Sequence, residues 1–548
     1  MSTVQKSLDD NWQAWKRLII QPNHLDILKE FPANFNFIIL QHSPDRSYLY
    51  GALLDKPKAQ PAGGKNPKAQ TTPVPSRSKV YGVETSPQLL DELLTKFADH
   101  KQSVQQLLLK QEYQRAQAMM RQKMLENLDE SLKKSTRGPI YDEDDAEEEA
   151  RLQEEFKELL NDMEAYLKPI TAQLTGTLSP EALTPASNPN QKASLEPPPS
   201  SECVILLADP MLMQMPLEAL QFLQLDNIIS ISRDFSLQMF NHRGYKEEGA
   251  QEDSAGGDKK KPKSSKSAEN PLSRIPGMRD ASKRTAKIIP LSRDVPSWCH
   301  AVDTHNFRYF VDTHLDSAET EENKPVEVFQ TVLEEYDQQF TARWLGVMGD
   351  DHAPSVGEWE IYLAENSSFV FYGMEKFIKY IPPEKLTALN IPECSIVYLL
   401  DMAQTSKSFT RQSKLDVLKS SSILNLEKPV EMAMLTSLTG IKCLMTNQWH
   451  CTLAENANKL KLTMKDLLEG GKTPGETVRY LLSPNLRPKK EETTDAKGVQ
   501  SQTKGEAEDE PSEFSYREAK EALDSPELDR SQYNMVVYGL PNIVVVQQ

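Results

Sequence analysis

The chain has 548 residues, of which 38% are hydrophobic, and its net charge is −17 at pH 7. This length allows two or three domains, and the acidic charge disfavours nucleic acid and anionic membranes as general partners. The N-terminus lacks the apolar core of a signal peptide, and no run approaches the ~18 consecutive apolar residues that indicate a membrane span. The five cysteines are scattered, odd in number and without a CxxC pair. This pattern is typical of reduced core thiols in a cytosolic protein.

The first predicted element is helical, and a β-meander follows it. Residues 8–31 carry Trp, Leu and Ile at helical spacing. Strands are predicted at 34–41, 47–54 and 79–83, where apolar and β-branched residues dominate. Residues 55–77 are rich in Lys, Pro, Ala and Gly and have no periodicity, so we expect a disordered insert there.

A long pair of helices is predicted after the meander. The first extends from Ser86 to about Ser135, and the second extends from Ala150 to Pro169, because proline is expected to end a helix. The acidic run Tyr141–Glu149 between them is interpreted as a solvated break. We predict that the two helices form a hairpin that projects from the sheet and offers an arm for partners. A helical layer packed on the face of the sheet is the alternative.

A stretch rich in Pro and Ser divides the chain. Residues 179–201 have this composition and predict a linker between two segments. The N-terminal segment, 1–178, comprises the helices, the meander and the hairpin. The C-terminal segment, 202–548, contains charged inserts near 244–275 and 486–514, which we expect to be disordered.

Runs with strand character alternate with helices throughout the C-terminal segment. The runs are short and rich in β-branched and aromatic residues, as buried strands of a parallel sheet are. They lie at Cys203–Pro210, Asn227–Arg233, Phe307–Val311, Phe369–Tyr372, Ser395–Leu400, Lys442–Thr446, Tyr533–Tyr538 and Asn542–Val546. We therefore predict an α/β fold, with a mostly parallel sheet flanked by helices.

Two neighbouring strands in this pattern locate the candidate site. The Phe369–Tyr372 strand stops at a glycine, and the Ser395–Leu400 strand stops at an aspartate. Sites in open α/β sheets form beyond the carboxyl ends of such strands. The residues to inspect are Gly373, Met374, Glu375, Asp401, Met402, Ala403 and Gln404. As a set they are poor catalysts.

Other motifs carry little chemistry. Gly470–Thr473 has the Gly-Gly-Lys-Thr sequence, but a phosphate-binding loop needs a further glycine where Asp466 stands, so the glycines are interpreted as a helix stop. Cys299-His300 and His450-Cys451 are adjacent pairs, which tends to point the two side chains apart. No GxSxG motif is present.

A metal site is not predicted either. Three histidines and three aspartates lie near one another in sequence, but their spacing matches no helical pair of ligands. They are His300, His305, His314, Asp303, Asp312 and Asp316. We expect no metal and no cofactor.

Six sequence blocks, taken in order, resemble separases and CHAT-domain peptidases. They are Leu206–Pro210 with Met215–Leu220; Trp344–Gly346 with Pro354 and Glu358; Phe369–Glu375 with Lys379–Pro382; Val397–Thr405; Thr439–Gly440 with Asn447–Trp449 and Gly470–Lys472; and Val536–Pro541. The resemblance covers roughly residue 202 to the end, and the meander and helices before it could be the first half of the same fold. It implies a caspase-like or separase-like sheet.

The chain departs from this family at both catalytic positions. Where the family has Gly-His-Gly, this sequence has Gly373–Glu375, and where the family has its cysteine, this sequence has Met402 or Ala403, depending on the register. Methionine cannot take a proton from a thiol, and neither Met nor Ala supplies a thiolate. No other cysteine is expected beside that position. We therefore expect a pseudo-peptidase without catalytic residues; an active peptidase using a displaced Cys394 or Cys443 is the alternative.

Among such degenerate members, the chain resembles the C-terminal region of a cilia- and flagella-associated protein of the axonemal central apparatus. The resemblance implies a cytoskeletal scaffold in the axoneme that supports ciliary or flagellar motility. Its partners would be other central-apparatus proteins in a multi-protein complex, with microtubules as a further candidate. The chain would be a short form or fragment, since it shows no internal repeat. A cytosolic adaptor unrelated to cilia is the alternative.

Overall fold

The computed structural model describes residues 27–55, 78–126, 143–178, 202–244, 295–317, 323–349, 354–483 and 529–547, apart from single residues at 29, 33, 297, 365 and 390. Most of the helical segment predicted at 8–31 lies outside the described residues. So do the predicted linker 179–201, the predicted insert near 486–514, and the predicted inserts at 55–77 and near 244–275 apart from their first residues.

The described residues contain thirteen strands. They are β1 (Phe35–His42), β2 (Tyr48–Asp55), β3 (Lys79–Glu84), β4 (Glu202–Ala208), β5 (Ile228–Asp234), β6 (His300–Asp303), β7 (Phe307–Val311), β8 (Leu345–Met348), β9 (Ser368–Tyr372), β10 (Ile396–Leu400), β11 (Cys443–Asn447), β12 (Met535–Gly539) and β13 (Ile543–Val546). Eleven of them form one sheet in the order β3-β2-β1-β4-β5-β12-β11-β10-β9-β7-β8, and β13 pairs with β6 in a second sheet.

The large sheet is mostly parallel, which confirms the predicted fold class. Only β1 with β2, β2 with β3 and β11 with β12 are antiparallel among its described pairs. Because β12 is parallel to β5 but antiparallel to β11, the parallel block β1-β4-β5-β12 runs opposite to the parallel block β11-β10-β9-β7-β8. The carboxyl ends of β9, β10 and β11 therefore meet at one edge.

The helices flank this sheet. They are α1 (Pro87–Glu126), α2 (Glu143–Leu178), α3 (Leu237–Gly244), α4 (Pro325–Glu335), α5 (Val356–Ala364), α6 (Pro383–Leu386), α7 (Ser406–Asp416), α8 (Ser421–Leu426), α9 (Pro429–Leu438), α10 (Leu453–Met464) and α11 (Pro474–Leu482). Capping boxes at Thr405, Thr452 and Thr473 begin α7, α10 and α11, because each threonine accepts a hydrogen bond from the third helical residue. Among these helices, none is long and apolar enough to cross a membrane.

The meander belongs to the same sheet as the C-terminal strands. β1 pairs with β4 in parallel, from Phe35 opposite Cys203 to Leu40 opposite Ala208. Strands on the two sides of the predicted 179–201 linker thus share one hydrophobic core. The division into two segments stays a prediction.

The helical pair differs from its prediction in two local respects. The helix α2 continues past Pro169 to Leu178. Proline removes one backbone hydrogen bond, but Leu167, Ile170 and Leu174 are fully buried in the core, and this burial outweighs the loss. The acidic run is not a solvated break either, because Glu143 to Glu149 form the first turns of α2, where the helix dipole favours negative charge.

The prediction that the pair projects from the sheet is wrong for most of its described length. Leu90, Leu93 and Phe97 of α1 are buried in the main core together with the apolar side chains of α2. The side chain of Ile170 lies over Gly51 of β2 so closely that a Cβ atom at Gly51 would be 2.3 Å from it. The pair is therefore a packed layer, as the alternative interpretation expected.

Candidate functional site

The tips of β9 and β10 lie side by side, as predicted. The two strands pair in parallel from Ser368 opposite Ile396 to Tyr372 opposite Leu400, and the backbone N–H of Gly373 donates to Leu400 O at 3.0 Å. Beyond the strand ends, Met374 and Ala403 pack together in a small buried apolar cluster. The structure thus places Ala403 beside Met374, the residue that the sequence resemblance aligns with a histidine.

Met402 is buried beside this cluster and has an unusual backbone. Its φ is +61°, in the left-handed region that residues other than glycine seldom adopt. Its carbonyl accepts a hydrogen bond from the backbone N–H of Cys451 at 3.1 Å. Such strain is retained where the surrounding structure fixes it, and here Met402 lies two residues beyond the end of β10.

Cys451 lies beside the strand tips, so the prediction that no cysteine would lie there was wrong. Cys451 packs against Met374 and Ala403 and is almost completely buried. Its Sγ is 3.1 Å from Oδ1 of Asn456, and Asn447 Nδ2 is 3.6 Å from it. It follows the end of β11 by four residues. Because β11 neighbours β10 in parallel, strand order was the signal that could have found it.

The thiol of Cys451 is held in its protonated form. Burial raises its pKa to about 12, so very little thiolate forms at neutral pH. The polar groups within reach of Sγ are side chains of Asn447 and Asn456 and the Asp401 carbonyl, at 3.8 Å. This environment supplies hydrogen bonds but, among those contacts, no base that could take the proton.

His450 precedes Cys451 and does not replace the missing base. Burial, with a smaller effect of nearby Lys376, lowers the pKa of His450 to about 3, so its ring is neutral at physiological pH. It is not among the hydrogen-bond partners of the Cys451 sulfur within the described part of the chain. The adjacent pair therefore gives no Cys–His dyad in this structure.

Asp401 organises the polar side of the tip. Its carbonyl oxygen accepts hydrogen bonds from Asn447 Nδ2 at 3.0 Å and Asn456 Nδ2 at 3.2 Å. Lys459 Nζ donates to Asn447 Oδ1 at 3.1 Å. The Asp401 carboxylate accepts from the backbone N–H of Phe377 at 3.1 Å, and burial raises its pKa to about 6. These contacts tie the ends of β10 and β11 to α10 and to the chain after β9.

Glu375 follows Met374 at the tip of β9 and is paired with an arginine. The Arg411 Nη2 atom of α7 is 2.5 Å from Glu375 Oε1 and 2.5 Å from Asp316 Oδ2. Both carboxylates are almost fully buried. Burial raises the pKa of Glu375, and Arg411 opposes that shift. A charge cluster therefore occupies this side of the tip.

The helix α1 covers the outer side of the tip. Gln105 Nε2 donates to Gln404 Oε1 at 2.6 Å, and Glu112 Oε2 accepts from the backbone N–H of Ser406 at 2.9 Å. The carboxylate of Glu112 thus occupies the N-terminus of α7, where a helix dipole favours an anion. None of this was predicted, because α1 is almost 300 residues distant in sequence.

The two cysteines of the alternative peptidase hypothesis lie away from the tip. Cys394 precedes β10, and Cys443 is the first residue of β11, so both stand at the amino ends of strands. Both are fully buried. Burial raises the pKa of Cys443 to about 12 and also raises that of Cys394.

The remaining sequence candidates have structural roles. Thr473 caps α11, and Gly471 adopts a positive φ of +62°, which fits the predicted helix stop. Asp312 accepts from the backbone N–H groups of Asp316 at 3.0 Å and Ser317 at 3.2 Å and so shapes a turn. Among the described residues, no three His, Cys, Asp or Glu side chains are grouped as metal ligands.

The Met215–Leu220 block also has a structural role. Glu218 accepts a hydrogen bond from Arg233 Nε at 2.6 Å, and both side chains are almost fully buried. Arg233 also donates to the carbonyls of Met213 at 2.6 Å and Met215 at 2.9 Å. The glutamate therefore holds the turn after β4 onto β5.

Comparison with known proteins gives a likeness of fold. No family model matches the chain. Among solved structures, the chain is similar to Saccharomyces cerevisiae separase in crystal structures of the separase–securin complex at 3.0 and 2.6 Å resolution. The TM-scores are 0.49 and 0.48 with 12% sequence identity, over 99% and 95% of this chain. Each match covers 31% of the separase chain, so this chain spans about a third of the length of the protein it matches.

Proposed function

We propose that this protein is a non-catalytic scaffold whose α/β core keeps the form of a peptidase without its chemistry. One observation supports the proposal: Met374 and Ala403, two residues that the sequence resemblance aligns with the histidine and cysteine of a peptidase, belong to one buried apolar cluster. A methionine thioether and a methyl group supply neither a general base nor a nucleophile.

The cysteine that does lie at the tip supports the same proposal. A cysteine peptidase needs a thiolate, usually produced by an adjacent imidazole. Cys451 instead has a pKa raised to about 12 and amide neighbours. The Glu375–Arg411 ion pair and the helix α1 fill space beside the tip that a substrate would need.

We further propose that the scaffold belongs to the central apparatus of the ciliary axoneme. The sequence resembles the C-terminal part of cilia- and flagella-associated protein 46, with a degenerate core of this kind interrupted by charged inserts. In this role the chain would bind other central-apparatus proteins and support ciliary or flagellar motility. The absence of catalytic side chains at residues 373–375 and 401–403 favours a role in binding over a role in catalysis.

A thiol-reactive peptidase probe tests the non-catalytic part. The native protein is incubated with a peptidyl acyloxymethyl ketone, and labelled cysteines are located by mass spectrometry. We expect no labelling of Cys451, Cys394 or Cys443 until the protein is unfolded in urea. Rapid labelling of any of the three in the native state would contradict the proposal. Iodoacetamide on the unfolded chain is the control that each thiol can react.

Fractionation tests the ciliary part. An epitope-tagged full chain is expressed in ciliated cells, and axonemes are isolated and stripped with detergent. We expect the tag to remain with the axonemal pellet. Recovery of the tag only in the soluble fraction would favour the cytosolic adaptor and contradict the axonemal placement.

A further inference from the structure

The segment that follows the strand tip has its polar side chains inside and apolar side chains outside. The helices α7 and α8 and the turn between them form a surface segment, residues 406–428. Ser408, Gln412 and Glu427 are its buried side chains. Five of its seven apolar side chains are exposed, with Val417 and Leu418 each 84% accessible; the other three are Phe409, Leu415 and Leu424. The remaining two, Ile423 and Leu426, are partly buried. An ordinary surface helix has the opposite arrangement.

Charges and amides hold most of this segment to the body, and Leu426 adds one apolar contact with the main core. Glu427 accepts from Lys379 at 2.5 Å and from Lys419 at 2.6 Å. Arg411 binds Glu375 and Asp316 beneath α7. The polar side chains of the inner face therefore fix the position of the segment. Leu426 packs against the main core, but Val417 and Leu418 are almost fully exposed and so are available to a second molecule.

The exposed charges of the segment are basic, in a chain that is acidic overall. Residues 406–428 include five basic and two acidic residues, against a net charge of −17 for the whole chain. The two acidic residues, Asp416 and Glu427, are neutralised by Lys379 and Lys419. Lys414 and Lys428 are exposed beside the apolar residues. The outer face is thus basic and apolar at once.

A groove along α7 gives this face a concave shape. Its volume is about 640 Å³, and it is lined by Ser406, Lys407, Thr410, Arg411, Lys414 and Leu415. These positions recur at helical spacing and share one side of α7. Val417 and Leu418 lie immediately after the end of the helix, two and three residues beyond Leu415 of the groove lining.

We propose that the 406–428 face binds an acidic segment of a partner protein that carries leucine-like side chains. Apolar side chains of the partner would cover Val417 and Leu418, and its carboxylates would lie against Lys414 and the neighbouring basic residues. A groove favours a protein segment over an anionic bilayer, because a bilayer offers a broad surface that does not enter a groove along one helix. This inference rests on the proposed scaffold function, and it identifies residues 406–428 as the surface through which the scaffold binds a partner.

A synthetic peptide tests this face directly. The probe is a fluorescein-labelled peptide of about 20 residues, built of Glu and Leu with the leucines at i, i+3, i+4 and i+7. Binding to the full chain is measured by fluorescence anisotropy. We expect saturable binding that is weakened about tenfold or more in the V417D/L418D variant and that falls as salt is raised. The matched control I361D changes an exposed residue of α5, 58% accessible, and is expected to bind like wild type.

Four outcomes would overturn the proposal. They are absence of saturable binding, equal binding by wild type and V417D/L418D, binding of phosphatidylserine vesicles in place of the peptide, and a dimer of the chain that the double variant abolishes. A dimer would identify a second copy as the occupant. Circular dichroism melts establish that each variant is folded. Native labelling by the peptidase probe would refute the proposed function without affecting this surface, so the two failures are distinguishable.

Discussion

Arg411 of α7 forms an ion pair of 2.5 Å with Glu375, the residue that follows Met374 at the tip of β9. The carboxylate is 4% exposed and the guanidinium 30% exposed. Asp316 completes the cluster: its Oδ2 is also 2.5 Å from Arg411 Nη2, and its Oδ1 is 3.0 Å from Nη1. One arginine thus fixes the start of the surface segment 406–428 onto the edge where catalytic residues would stand.

Removing this arginine should destabilise the fold. In Arg411→Met the carboxylate of Glu375 loses its cation while it stays buried, and we expect a loss of roughly 2–3 kcal/mol, less than for a fully buried pair because Arg411 is partly exposed. Urea unfolding measures the change. The variant E375Q/R411M leaves no unpaired charge at Glu375 and should lose less than the sum of the single variants. Additive losses would show that the two residues are not coupled.

Asp401 should make stability depend on pH. Burial raises its pKa from 3.8 to about 6, so the folded protein keeps the proton at a pH where the unfolded chain has lost it. The stability that this group contributes is therefore lost as pH rises from about 4 to 6. D401N has no such titration. We expect the free energy of unfolding of D401N, relative to wild type, to rise by about 2–3 kcal/mol between pH 4 and pH 8. A difference that does not vary with pH would contradict the assignment.

The buried pair of Glu218 and Arg233 should be strongly stabilising as a unit. In Glu218→Gln the guanidinium of Arg233, fully buried, keeps its charge without a counter-ion. We expect a loss of about 3–5 kcal/mol by urea unfolding. The matched control is Asp91→Asn, which breaks the exposed pair with Arg46 and should change stability by less than about 1 kcal/mol. Similar losses in both variants would argue against a special role for the buried pair.

Packing of α2 on β2 should tolerate no side chain at Gly51. In Gly51→Ala the new methyl group would be 2.3 Å from Ile170 Cγ1, so we expect a loss of about 1–3 kcal/mol in thermal or urea unfolding. Ile170→Ala should destabilise the G51A protein less than it destabilises the wild type, because it removes the clash. Gly357→Ala is the control: it meets nothing within 4 Å, and we expect it to be neutral or slightly stabilising. Equal losses from Ile170→Ala in both backgrounds would contradict the contact.

Strand positions could be predicted because each buried strand is a short apolar run. The run Phe369–Tyr372 and the observed β9 differ by one residue. The order of the strands could not be predicted in the same way. β12, close to the end of the sequence, lies between β5 and β11 and reverses the direction of the sheet there. That placement depends on pairing between distant segments, which local pattern does not encode.

The predicted end of α2 at Pro169 and the predicted break at the acidic run were wrong for a single physical reason. Proline and a run of acidic residues are local signals for a helix end and a break, and both are outweighed in α2. The apolar side chains around Pro169 are buried against the sheet, and Asp145 forms an ion pair with Lys110 of α1 at 2.6 Å. Tertiary contacts of this kind override local propensity.

The sequence by itself determined which chemistry the strand tips lack. Residue identity at 373–375 and 401–403 excludes an imidazole and a thiolate there, because a side chain's functional group does not depend on its neighbours. Only the tertiary structure decided that Ala403 is the residue that meets Met374, that Cys451 joins them as a protonated thiol, and that α1 covers the tip. Those facts depend on strand pairing and burial, which bring together residues far apart in the chain and set the pKa of each group.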